Sequence, residues 1–114
     1  MAGIVPTDDE VRRYNVLLDI RLERDAQDRK WGEQNHPDGT GGPPDLAVRD
    51  ITREACDEAH QAGKGTWRHI LDEEVAEAYA EYDSTRLRAE LIQVAAVAAA
   101  WVEAIDRRRE CLTL

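Results

Sequence analysis

Between residues 71 and 94 the chain carries two acidic strings close together. Leu71-Asp72-Glu73-Glu74-Val75-Ala76-Glu77 contains an EExxE pattern, and Arg88-Ala89-Glu90-Leu91-Ile92-Gln93-Val94 contains an ExxQ pattern. Carboxylate oxygens are hard donors, and residues three apart on a helix lie about one turn apart on one face. Two helices that each offer such a pair can build an oxygen cage for Mg²⁺, or for Mn²⁺. Glu74, Glu77 and Glu90 are the candidate ligands. Gln93 offers an uncharged amide oxygen and is a weaker or indirect fourth. Acidic groups gathered at the edge of a core repel one another unless a cation joins them. A plainer alternative stands beside this: glutamate is common on solvated helix faces, ExxE arises by chance, and Glu81 continues the same edge.

The elements that must position these groups are helical. Helix-favouring residues dominate, and no stretch alternates apolar and polar with β-branched enrichment. The reading is an all-α, four-helix chain forming one domain over residues 1–114. The first helix begins after Pro6-Thr7, with Thr7 or Asp8 as cap, and runs to about Lys30; Val11, Tyr14, Leu17, Leu18 and Leu22 mark its apolar stripe. A loop from Trp31 to Pro44 holds four of the seven glycines and three of the four prolines. Such loops in small domains are often functional. The second helix is expected from about Asp45 to Ala62. Thr66 caps the third, which runs to about Asp83, and Ser84 or Thr85 starts a fourth ending near Arg109.

Helical phase adds geometry to the acidic strings. Each residue advances about 100° around the axis. Leu71, Val75, Ala78 and Tyr82 then share one stripe of the third helix, with Glu74 and Glu77 to one side of it. In the fourth, Leu87, Leu91, Val94, Ala98 and Ile105 form the stripe, and Glu90 and Gln93 take the same angular offset. Antiparallel packing of the two stripes would bring the acidic edges near each other.

Composition narrows the function. Net charge is −9, with 42% apolar and 34% charged residues. A duplex-binding protein needs a basic face to displace phosphate counterions. The basic run here is Arg107-Arg108-Arg109, which suits a helix C-terminus equally well. No nucleic-acid polymer is expected as partner, although a divalent cation lets an acidic site hold a nucleotide. The longest apolar run, Val94 to Val102, is far short of the ~20 residues that cross a bilayer, so no membrane partner is expected. The N-terminus lacks a basic flank and an apolar segment. Cys56 and Cys111 fit no metal or disulfide pattern and read as free thiols of a cytoplasmic protein.

EExxE followed after a short gap by ExxD on the next helix is the signature of the all-alpha nucleoside triphosphate pyrophosphohydrolases. The chain resembles the MazG members of that group. Glu73, Glu74 and Glu77 match the first part, Glu90 matches the second acidic position, and twelve residues separate Glu77 from Glu90. Lys30-Trp31-Gly32-Glu33-Gln34-Asn35-His36-Pro37 is similar to the loop of small MazG-like proteins. Gln93 departs from the pattern, standing where the family has an aspartate.

The resemblance implies a MazG-like bundle completed by oligomerisation, as a homodimer or homotetramer. It also implies metal-dependent hydrolysis of a nucleoside triphosphate to the monophosphate and pyrophosphate. Glu73 would then orient or deprotonate water. Lys30, Lys64 and Arg68 are candidate phosphate partners, each equally readable as a solvated cation. Trp31 could stack on a base or close the core at a helix end. Trp67 stands between the same two roles, and Trp101 reads as core. Asn35 and His36 are further loop candidates that suit a turn at least as well.

Two strings are accidental. Asp57-Glu58-Ala59-His60 spells a helicase box without a motor domain, and Gly63-Lys64-Gly65-Thr66 lacks the upstream glycine and strand of a phosphate loop. A di-iron carboxylate bundle needs a pair of Glu-x-x-His motifs on facing helices, and no such pair occurs. The rival reading is a catalytically impaired MazG-like helical interaction protein. The alanine-rich run Val94–Ala100 supports oligomerisation on its own, because a helix apolar beyond one stripe is buried on more than one side.

Overall fold

The computed structural model describes residues 3–113, and side chains as far as Cys111. Four helices account for the ordered secondary structure: α1 (Asp8–Trp31), α2 (Pro43–Gln61), α3 (Trp67–Ala80) and α4 (Ser84–Thr113). No strand occurs among the described residues. No helix among them is long and apolar enough to cross a membrane.

The helix starts follow local chemistry. Thr7 caps α1 through a capping box: its hydroxyl accepts from the Glu10 N–H at 3.1 Å, while Glu10 accepts from the Thr7 N–H at 2.8 Å. Asp8, Asp9 and Glu10 in the first turn complement the helix dipole. Gly32 ends α1 with φ 69°, a left-handed conformation suited to glycine. Thr66 caps α3, accepting from the His69 N–H at 3.3 Å. α4 starts at Ser84, as expected, and Asp83 caps it: its carboxylate accepts from the Arg86 N–H at 3.0 Å.

Three boundaries differ from the sequence expectation. Pro43 and Pro44, assigned to the loop, form the first turn of α2. Proline is tolerated there because the first N–H groups of a helix have no internal acceptor. Asp45 stabilises the same turn, its carboxylate accepting from the Gly42 N–H at 3.2 Å. At the other end, α3 stops at Ala80 instead of continuing to Asp83. The preceding loop takes its terminal carbonyls: Gly41 N–H donates to the Tyr79 carbonyl at 2.8 Å, and the Thr40 hydroxyl donates to the Glu81 carbonyl at 2.6 Å. Tyr82, expected on the apolar stripe of α3, therefore lies outside the helix and is exposed. α4 also runs beyond Arg109, to Thr113.

The chain divides into two compact units. One holds Pro37–Ala98; the other holds the chain up to His36 together with α4 from Ala99 onward. In the Pro37–Ala98 unit, α2 packs on α3. Its buried apolar side chains are Cys56, Ala76, Ala78, Ala80 and Leu87. Most are small, so the helices approach closely. Leu71, Val75 and Val94 are half-buried on the expected stripes, but Leu91 is exposed.

In the other unit, α1 does not bury the expected stripe. Val16 and Arg12 are its buried residues, whereas Val11, Tyr14, Leu17, Leu18 and Leu22 are exposed. Charge chooses the inward face. The Arg12 guanidinium donates to Asp9 and, through Nε and Nη2, to both oxygens of Glu110. Arg13 adds a pair to the buried Glu103 at 3.4 Å. The fork of Arg12 holds the Glu110 carboxyl below its ordinary value. Periodicity in α1 located an apolar stripe but not which side faces α4. Trp101, expected in the core, is half-buried.

Candidate metal centre

Glu74 and Glu77 sit one turn apart on α3, and Glu90 sits in the second turn of α4. One carboxylate oxygen from each lies within 4.8 Å of the others, and all three residues are half-buried. The expected phase relation thus brings these three sequence-assigned ligands together. Glu74 Oε2 and Glu90 Oε2 are buried with no hydrogen-bond partner. A carboxylate oxygen removed from water without a donor is costly, which is the demand a cation meets.

Electrostatics express the same demand. Burial pushes the Glu74 carboxyl above its ordinary range, and the charges of Glu77, Glu90 and Glu73 push it the same way. Glu90 is raised by burial first, then by Glu77 and Glu81; in its protonated form it also hydrogen-bonds Glu77. Three oxygen donors at this separation, with two orphan oxygens, fit a hard divalent cation. Mg²⁺ keeps several waters and needs few protein ligands, so an open, half-exposed site suits it.

The remaining assigned residues are less convergent. Gln93 lies one turn beyond Glu90 on α4 and is exposed. Glu73 is half-buried, and its charge bears on the Cys56 thiol of α2, whose sulfur lies 3.6 Å from His60 Nδ1. Burial, reinforced by Glu73, pushes that thiol up to about 11, so it stays neutral near pH 7 and acts as a small core side chain. Both cysteines are free, Cys56 buried and Cys111 exposed.

Arg68 is exposed and reaches Asp72 at 3.9 Å on its own helix, and Lys64 is exposed in the turn after α2. Lys30 and Trp31 belong to the unit that lacks the acidic cluster. Trp31 is 62% exposed, with the Lys30 ammonium 4.8 Å from its ring centroid, so it does not close a core. Asn35 and His36 are exposed and hydrogen-bond within the loop, to Glu33 and Gln34. Trp67 is half-buried at the start of α3.

One residue of the site was missed. Arg53 on α2 donates through Nη2 to Glu77 Oε1 at 3.1 Å. Its three-residue spacing from the buried Cys56 puts it on the inward side of α2, and that was the available signal.

No protein-family profile, curated protein or solved structure matches the chain, so the likeness to the MazG proteins rests on the motif residues themselves.

Proposed function

We propose that this chain is a metal-dependent nucleoside triphosphate pyrophosphohydrolase of MazG-like type, converting a nucleoside or deoxynucleoside triphosphate and water to the monophosphate and pyrophosphate. The observation that carries the reading is the convergence of Glu74, Glu77 and Glu90 from two helices, with two buried oxygens lacking any partner. The resemblance of EExxE and the following Glu90 to the family motif names the reaction.

In this reading Glu74, Glu77 and Glu90 hold Mg²⁺ or Mn²⁺, and Gln93 contributes through its amide or through a water. The cation, when bound, neutralises charge developing on the phosphoryl oxygens and makes bound water more acidic. Glu73, adjacent to these residues in sequence, would orient the attacking water and take its proton. That role requires the half-buried carboxylate, which lies beside the Cys56 thiol, to turn toward the acidic cluster. Water attacks the α-phosphorus, the bond to the bridging oxygen of the pyrophosphate breaks, and no covalent enzyme intermediate is required. Two free thiols and no membrane-spanning helix among the described residues fit a cytoplasmic location. The exposed apolar stripe of α1 fits a homodimer or homotetramer.

The test is incubation with canonical and modified triphosphates in Mg²⁺ and in Mn²⁺, with products resolved. Monophosphate plus pyrophosphate is expected, reduced at least about a hundredfold in Glu77→Ala. Diphosphate plus phosphate would overturn the assigned bond. Absence of turnover from folded protein would favour the second reading, a catalytically impaired MazG-like interaction protein. Gln93 is the observation behind it: the uncharged amide stands where the family pattern has an aspartate.

A further inference from the structure

We propose that Arg53 is a substrate-phosphate ligand which, in the metal-free chain, is parked on Glu77 and is released when a divalent cation takes that carboxylate. The inference rests on the metal reading above and extends it to a residue on a third helix. Arg53 donates to Glu77 at 3.1 Å, and Glu77 is also one of the three converging donors. One carboxylate thus serves two cations. The guanidinium is nearly half-exposed, so its pairing with Glu77 is weak and easily exchanged. A divalent ion held by three carboxylates is a far stronger partner for Glu77.

Charge balance gives the released arginine its role. Three carboxylates and one divalent cation leave the site with a net negative charge. A triphosphate is then repelled unless a further cation stands beside the metal. Of the other arginines on α2 and α3, Arg49 pairs with Asp50 and Arg68 with Asp72. Arg53 already contacts a ligand of the site and has an exposed edge. Its planar fork matches the spacing of two phosphoryl oxygens.

The experiment uses Arg53→Met and Arg53→Lys beside the native chain, each checked for helicity by circular dichroism. Calorimetry first measures binding of Mn²⁺ alone. It then measures binding of inorganic tripolyphosphate, added as its Mg²⁺ complex to Mg²⁺-saturated protein. Arg53→Met is expected to bind Mn²⁺ about two- to fivefold more tightly, because an exposed internal competitor of this kind is removed. It is expected to bind the tripolyphosphate complex roughly ten- to a hundredfold more weakly, the effect of losing a charge-assisted hydrogen bond. Arg53→Lys should stay near the native chain for Mn²⁺ and fall between the two for tripolyphosphate. A purely structural defect at position 53 would weaken both ligands. Unchanged or weaker Mn²⁺ binding by Arg53→Met overturns the proposal, and so does unchanged tripolyphosphate binding. If neither the native chain nor Arg53→Met binds Mn²⁺, the metal reading itself fails, an outcome distinct from a site that binds metal without sensing Arg53.

Discussion

Glu74 on α3 and Glu90 on α4 each bury one carboxylate oxygen that no donor reaches, in a cluster whose donor atoms lie within 4.8 Å of one another. Both carboxyl groups are raised above the ordinary 4.5. Between that value and the raised ones, the folded chain binds more protons than the unfolded chain, so stability falls as pH rises through this window. Glu110 is shifted the other way, and its contribution changes below 4.5. Above that value the acidic cluster sets the slope. In the presence of a chelator, the melting temperature should fall as pH rises above 4.5 toward neutrality, and Glu74→Gln should raise the melting temperature at neutral pH and flatten the slope. Millimolar Mg²⁺ should reverse the trend, stabilising the native chain by roughly 1–3 kcal/mol at ten to a hundred times its dissociation constant. Glu74→Gln should lose most of that gain. Differential scanning calorimetry checks both; a pH-independent, metal-insensitive transition would leave the cluster an ordinary solvated edge.

Gln93 is the position at which the native charge count can be tested by addition. It lies one turn beyond Glu90 on the same helix face, with its side chain exposed. Gln93→Asp adds a negative oxygen donor to a site that prefers hard anionic ligands. Mn²⁺ affinity is expected to rise about tenfold, and turnover with it, if the residue addresses the ion. Metal-free stability should drop at neutral pH, because another carboxylate joins the same repulsion. Equal Mn²⁺ affinity in both proteins would remove residue 93 from the ligand set.

Gly41 holds the loop onto the end of α3. Its φ is 84°, and a Cβ there would sit 2.7 Å from Tyr82 Cβ and 2.8 Å from its Cα. Conformation and space both demand glycine. Gly41→Ala is expected to cost about 2–3 kcal/mol, the strain of a left-handed residue added to a backbone clash. Thr40→Val removes a hydroxyl donor to the Glu81 carbonyl and should cost about 1 kcal/mol. The loop pins the helix that carries Glu74 and Glu77, so both variants should also weaken Mn²⁺ binding. Urea unfolding with and without Mn²⁺ separates the two effects; normal stability in Gly41→Ala would refute the tight approach.

Local signals in the sequence were enough for the helices and for the acidic cluster, because both are short-range. Thr7 and Thr66 are caps that can be read from residue type, and the three-residue spacing of Glu74 and Glu77 fixes a common face before any packing is known. Contacts far apart in sequence were not legible. The early end of α3 depends on Thr40 and Gly41 reaching the carbonyls of Glu81 and Tyr79. The inward face of α1 depends on Glu103 and Glu110, about ninety residues later, meeting Arg13 and Arg12. Arg53 belongs to the same class, since its role appears only once α2 and α3 are side by side.

That inverted face supports the proposed oligomer. Val11, Tyr14, Leu18 and Leu22 recur at helical spacing on α1, with Leu17 beside them, and all five are exposed while Arg12 and Val16 point inward. Single exposed apolar residues are unremarkable, but an aligned stripe of this kind marks a contact surface. A second copy of the chain, presenting the same stripe across a two-fold axis, would cover it self-complementarily. Light scattering at micromolar concentration should report a dimer or tetramer. Leu18→Glu with Leu22→Glu places charges on the stripe without touching Arg12, Val16 or the acidic cluster, and should shift the mass to a monomer. Helicity should persist in that variant, since neither side chain is buried in the single chain. A native chain that is monomeric at these concentrations would overturn the proposed oligomer.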